Sequence, residues 1–288
     1  MIPAKIEQLD GQMTSWLKPY HLSASVQFGI EMALLNLKAN EKAISLAQLI
    51  NPQYCPKGYI SGLLQGSTES VVAQAEAMLK DGYHTMKLKV GSADIDQDIA
   101  KVKAVNEVIE GKALLRLDAN QAWSLAEAVK FGQAIGLNTV EYIEEPLKNI
   151  EEIPEFFEQT TLLVGADESL LTTSFEHLKA LNGVEVFIIK PTVLGGIEKS
   201  WQLAQKARQH GLEPILSSSF ETSLGLTTLV HLAAGLYRFA AVGLDTGKWF
   251  VKDLITNPLV FAHGQYDLSH MTLSLPNIQE GILEEILP

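Results

Sequence analysis

Thr85-Met86-Lys87-Leu88-Lys89-Val90, then Ile95–Ile109, then Ala113-Leu114-Leu115-Arg116-Leu117-Asp118 form the stretch on which the fold reading turns. Two short apolar runs flank a longer segment whose apolar residues recur about every 3.6 positions, the pattern of a strand, a helix and a second strand. Such a unit needs a right-handed crossover and makes its strands parallel. The alternation continues in both directions. Upstream lie Tyr59–Leu64 and the helical Glu69–Leu79; downstream lie the strand candidates Val140–Ile143, Leu162–Ala166, Val184–Ile189, Glu213–Ser217 and Ala241–Leu244. Leu125–Ile135, Glu198–His210 and Leu224–Leu236 carry helical spacing between them. Eight such strands in series predict a closed barrel, with a doubly wound open sheet as the alternative.

The ends break the repeat. Residues 14–50 read as two or three helices, notably Val26–Leu37, and the chain after Leu244 is irregular and carries Pro258, Pro276 and Pro288. This predicts a mostly helical segment at 1–58, a barrel at 59–250 and a C-terminal segment at 251–288 that returns to pack with the N-terminal one. Of the 288 residues, 47% are apolar and 19% charged, an ordinary globular composition with room for a large core. A formal net charge of -12 argues against a nucleic-acid partner, which needs clustered Lys and Arg. No apolar run approaches the roughly 18 residues of a membrane span, and no secretory pattern opens the chain. Cys55 stands alone, which excludes an internal disulfide or a multi-cysteine metal site. The expectation is a cytoplasmic protein with no membrane partner; the oligomeric state stays open.

In a barrel of this kind the active site lies at the C-terminal ends of the strands. Those ends read Lys87-Leu88-Lys89, Arg116-Leu117-Asp118-Ala119-Asn120, Glu144-Glu145-Pro146, Asp167-Glu168-Ser169 and Lys190-Pro191. Side chains alternate faces along a strand, so Lys87 shares a face with Lys89, and Arg116 with Asp118 and Asn120. Asp118, Glu144 and Asp167 on consecutive strands repel one another unless a cation lies between them. Hard oxygen donors without Cys or His favour Mg²⁺, or Mn²⁺, over zinc. Lysines on either side of such an ion suit proton abstraction or charge stabilisation. Taken singly, each feature has a plainer reading: a solvated strand end for Lys-x-Lys, a loop for Glu-Glu-Pro, a helix N-cap for the Asp. All five in order on successive strands are hard to obtain by chance.

These motifs, together with Phe28-Gly29-Ile30-Glu31-Met32-Ala33-Leu34, resemble the muconate-lactonizing branch of the enolase superfamily along nearly the whole chain. The resemblance implies an α/β fold, a (β/α)7β TIM-like barrel with a partial, N-terminally short α+β capping domain. It implies Asp118, Glu144 and Asp167 as metal ligands, and Lys89 and Lys190 as catalytic lysines on opposite faces of a small carboxylate substrate. Lys87, Arg116 and Asn120 are expected to line the substrate site and orient its charges. Arg116 to Trp123, Ser217 to Leu226 and Gly243-Leu244-Asp245-Thr246-Gly247 are most similar to the o-succinylbenzoate synthases within that branch. Ser217, Ser218 and Gly243 are then expected to donate to a substrate carboxylate, N-capping of the next helix being the alternative for the serines. The Asp-x-Asp of dipeptide epimerases is missing from the Gly243 stretch. The implied reaction is a syn dehydration to a succinylbenzoate. An N-succinylamino acid racemase, a Schiff-base lyase and an inactive barrel with a binding role are the rival readings.

Overall fold

The computed structural model describes residues 2–3, 5–136, 140–236, 240–256 and 259–270. They fall into two compact units, one within Tyr59–Ile189 and Ala204–Ile215, the other within Met1–Gly58, Lys190–Leu203 and Leu216–Pro288. Short strands β1 (Lys57–Tyr59) and β9 (Gln265–Asp267) pair with each other. The main sheet runs in sequence order through β2 (Gly62–Leu64), β3 (Thr85–Lys89), β4 (Leu114–Asp118), β5 (Val140–Glu144), β6 (Val164–Ala166), β7 (Val184–Ile189) and β8 (Glu213–Leu216). β2 to β7 are parallel, each joined to the next by a helical crossover, the TIM-like α/β arrangement that the alternation predicts.

Local chemistry explains the crossovers. Ser67 caps the helix Thr68–Lys80 by accepting from Ser70 N at 3.3 Å, and Asp94 caps Ile95–Ile109 by accepting from Asp96 N and Gln97 N, both at 3.1 Å. Ser124 and Glu127 form a reciprocal capping box on Leu125–Ile135. Such caps are worth ~1 kcal/mol each and set where a helix begins. In Ile95–Ile109 the spacing places Ile99, Val102, Val105 and Ile109 on one buried stripe, each contributing ~1.5–3 kcal/mol before entropy is counted. In β3, Met86 and Leu88 are buried on one face and the two lysines occupy the other.

In the second unit, the helix Ala24–Glu41 buries Phe28, Glu31, Leu35 and Ala39. The Glu31 carboxylate accepts from Glu198 N at 2.9 Å, at the start of the helix Ile197–Gln209. Glu198 in turn accepts from Thr14 N at 2.6 Å and Met13 N at 3.3 Å, at the start of the helix Gln12–Leu17. Two fully buried carboxylates thus satisfy orphan N–H groups of two helices. Gly196 makes the first contact possible: its φ is 112°, and a Cβ there would meet the Glu31 oxygens at 2.5 Å.

Two expected strands differ from the sequence reading. Tyr59–Leu64 is split, Tyr59 ending β1 and Gly62 starting β2. Ala241–Leu244 forms no ladder strand; Val242 and Gly243 are isolated bridge residues, Gly243 pairing with Ser217. Beyond the bonds that Gly243 makes with Leu216 O and Ser218 N, the backbone closes on itself, Leu244 N donating to Val242 O and Thr246 N to Leu244 O, in tight turns where a longer ladder would need extended chain. Among the described residues no helix is long and apolar enough to cross a membrane. Pro258 and residues 271–288 of the expected C-terminal return lie outside the described residues.

Candidate active site

Ladder register lines up the strand ends. Lys89 on β3 is paired with Asp118 on β4, Asp118 with Glu144 on β5, and Glu144 with Gly165 on β6. Two residues earlier, Lys87 pairs with Arg116 and Arg116 with Tyr142. The period of two keeps these two rows on one face, one above the other. Gly165 gives the row room: a Cβ there would lie 3.3 Å from both Glu144 Cγ and the Tyr142 ring.

Within that layer the charges are paired. Lys87 Nζ lies 2.9 Å from Asp118 Oδ2 and also bonds Glu144 Oε2. Lys89 Nζ donates to Asn120 Oδ1 at 2.6 Å and lies 3.3 Å from Asp118 Oδ2. Asn120 Nδ2 donates onward to Glu168 Oε1 at 2.9 Å. Asp118 and Glu144 are almost fully buried, and the Lys89 side chain is 49% exposed. The more accessible lysine is therefore the one at the end of the strand. Burial pushes the Glu144 carboxyl up to about 7; Lys87 opposes this shift, and the Asp118 and Asp167 charges add to it. Burial alone would lower Lys87, but attraction to Glu144 and Asp118 overrides it and holds the ammonium protonated.

Other expected residues have different company. Arg116 is buried, its Nε donating to Glu141 Oε2 at 2.7 Å and its guanidinium 5.1 Å from the centre of the Tyr142 ring. Lys190 follows β7 directly and begins the short helix Pro191–Leu194, in the other unit. In that same unit Ser217, Ser218 and Gly243 gather: both serine hydroxyls donate to Gly243 O, at 3.3 and 3.1 Å, and Ser218 Oγ is 2.7 Å from Thr246 Oγ1. The Gly243 N–H serves the bridge by donating to Leu216 O.

Three carboxylates with no Cys or His among them match a hard divalent ion in kind, and the charges of Asp118 and Asp167 both act to raise the Glu144 carboxyl. Among the described residues no three His, Cys, Asp or Glu side chains stand grouped as a ready metal cage, and Lys87 bridges two of the three candidates. Sequence reasoning passed over Glu145, Glu168 and Gln121, which hold these groups in place. The one available signal was their position beside the motif residues, because alternation assigns them to the opposite face.

The profile of the family described as "Enolase C-terminal domain-like" matches residues 70–272. The chain belongs to the enolase superfamily. Members of this superfamily are divalent-metal-dependent enzymes, and the chain is one of them. It is 31% identical over 261 residues to an o-succinylbenzoate synthase of Photorhabdus laumondii, covering 87% of this chain and 76% of that one. It is 30% identical to the protein PHYLLO, chloroplastic, of Arabidopsis thaliana, covering 90% of this chain but 17% of that one. A solved structure of a dipeptide epimerase from Enterococcus faecalis, complexed with Mg and the dipeptide L-Leu-L-Tyr, superposes with a TM-score of 0.83 at 25% identity. It covers 95% of this chain and 79% of that one.

Proposed function

We propose that this superfamily member is an o-succinylbenzoate synthase. It would dehydrate 2-succinyl-6-hydroxy-2,4-cyclohexadiene-1-carboxylate to 2-succinylbenzoate, a step of menaquinone biosynthesis in the cytoplasm. The observation that carries the reading is the register row Lys89, Asp118, Glu144, which puts an accessible ammonium beside buried carboxylates at adjacent strand ends. Relatives named o-succinylbenzoate synthase support the choice of reaction. With it we propose the division of the chain into a capping segment at 1–58, a barrel at 59–250 and a C-terminal segment at 251–288.

Asp118, Glu144 and Asp167 would hold Mg²⁺, or Mn²⁺ in its place. When bound, the ion would supply positive charge that stabilises the substrate carboxylate as negative charge develops on it. Lys89 Nζ takes the proton from the neighbouring carbon, and the electron pair is delocalised into the carboxylate as an enediolate. The C–O bond to the hydroxyl then breaks, Lys89 returns the proton to the departing oxygen, and water leaves. One lysine serves both steps because proton and hydroxyl depart from the same face. Asn120 Oδ1 accepts from Lys89 Nζ at 2.6 Å and so orients it. Lys190 is assigned to the other face, where its charge stabilises the anionic intermediate, and Ser217, Ser218 and Gly243 to the substrate carboxylates. A spectrophotometric dehydration assay with the cyclohexadiene, run with Mg²⁺ and with EDTA, tests the proposal. Metal-dependent turnover that is lost in Lys89→Ala supports it, and Lys89→Ala turning over at the parental rate refutes the assignment of the base.

A pair of lysines also suits proton exchange at both faces of a carbon acid, so racemisation of an N-succinylamino acid is the second reading. Solvent deuterium entering Cα of such a substrate would favour it.

A further inference from the structure

Glu145 follows a proposed metal ligand directly, and on a regular strand its side chain would point to the opposite face from Glu144. Its backbone instead turns into the left-handed region, with φ at 42°. There it ties three strand ends together: its N–H donates to Gly165 O at 3.0 Å, and its carbonyl accepts from Gln121 N at 2.7 Å. The buried carboxylate reaches further. Oε1 accepts from Asp167 N at 2.7 Å and Ser169 N at 2.8 Å, and Oε2 from Ser169 Oγ at 2.7 Å and Gln121 Nε2 at 3.0 Å. Four good bonds use the full acceptor capacity of a carboxylate. Three of the four fall on the turn Asp167-Glu168-Ser169, and none goes to a group that would react.

We propose that Glu145 is a positioning residue that fixes the Asp167–Ser169 turn and thereby aims both Asp167 at the metal and Glu168 at the Asn120–Lys89 chain. This inference rests on the metal-ligand reading proposed above. Outer partners that orient ligands typically change metal affinity by ~10–100-fold when they are removed. The geometry also separates Gln from shorter side chains. In Glu145→Gln the amide oxygen keeps both backbone bonds, while Ser169 Oγ and Gln121, once its amide flips, accept from the new NH₂. In Glu145→Asp the side chain is one methylene too short to reach all four donors.

The test is the Mn²⁺ dissociation constant of the full chain, by titration calorimetry, alongside thermal melts. Glu145→Ala and Glu145→Asp are expected to bind Mn²⁺ at least about tenfold more weakly, with Glu145→Gln within about threefold of the parent. Val105→Ala, which opens a cavity in the buried stripe of Ile95–Ile109, should melt lower yet bind Mn²⁺ as the parent does, and so separates positioning from loss of stability. Folded Glu145→Ala with parental affinity overturns the proposal, and if that variant does not fold, Glu145→Asp is judged by the same criterion. A parent that binds no Mn²⁺ sinks the metal-ligand reading and this inference with it; a parent that binds equally with every variant sinks the inference alone.

Discussion

Replacing Lys87 by Met keeps the length and bulk of the side chain and removes only the ammonium. That ammonium sits 2.9 Å from Asp118 Oδ2 and bonds Glu144, with the three side chains 15%, 3% and 2% exposed. Without it two carboxylates face each other where water hardly reaches. Breaking a buried ion pair from one side costs ~3–5 kcal/mol, because the partner charge is left uncompensated. Lys89, 3.3 Å from Asp118 Oδ2, retains part of the attraction, which points to the lower half of that range. At roughly 2–4 °C per kcal/mol for chains of this size, the melting temperature in EDTA should fall by about 6–16 °C. A divalent ion can do the electrostatic work of the missing ammonium. Mg²⁺ at ~100 times its Kd should therefore restore ~2.7 kcal/mol, and the variant should need less Mg²⁺ than the parent to reach half of its shift. Scanning calorimetry across a magnesium series, starting from EDTA, measures both quantities. A variant that melts in EDTA within about 2 °C of the parent, less than ~1 kcal/mol, would refute the claim that Lys87 neutralises this pair.

Gly165→Ala should place a methyl 3.3 Å from Glu144 Cγ and the Tyr142 ring, forcing shifts of tenths of an ångström and a loss of ~1–3 kcal/mol. Weaker Mn²⁺ binding should accompany the lower melting temperature, and an unchanged Kd would show that Glu144 tolerates the displacement. Burial raises the Glu31 carboxyl above its ordinary 4.5, against the bonds from Glu198 and Ile197 N–H and from Gln27. The folded chain then binds this proton more tightly than the unfolded chain, so its contribution is fully present below pH 4.5 and is lost as pH rises through the raised folded value. Glu31→Gln cannot ionise, so its stability relative to the parent should improve as pH climbs from 4.5 through that window. Urea unfolding at a series of pH values would show it, and a difference that is flat with pH would contradict the assignment to Glu31.

Much of the architecture was legible in the chain because its signals are local. Apolar spacing alone places Ile95–Ile109 and Leu125–Ile135, which match the observed helices end to end, and the structure shows Asp94 and Ser124 capping their starts. Alternation also told Lys87 and Lys89 apart from Met86 and Leu88, since facing depends only on the backbone period. What it could not assign was company across strands. That Lys87 is held between Asp118 and Glu144, mostly out of solvent, while Lys89 stays half exposed depends on the β3–β4–β5 register, which is set by hydrogen bonds between segments some twenty to thirty residues apart. Arg116 was expected beside substrate and lies against Glu141 and Tyr142, where the ladder shifts between Leu115 and Arg116. Glu145 shows the limit most plainly. The period of two sends it away from the site, and a single residue at φ 42° brings its carboxylate onto the Asp167 turn. Sequence by itself determined which elements form and which side chains share a face, because propensity, capping and periodicity act within a few residues. The tertiary structure alone decided which charges neutralise one another and which carboxylates hold backbone in place, because those energies depend on distances and burial that exist only once distant strands are paired.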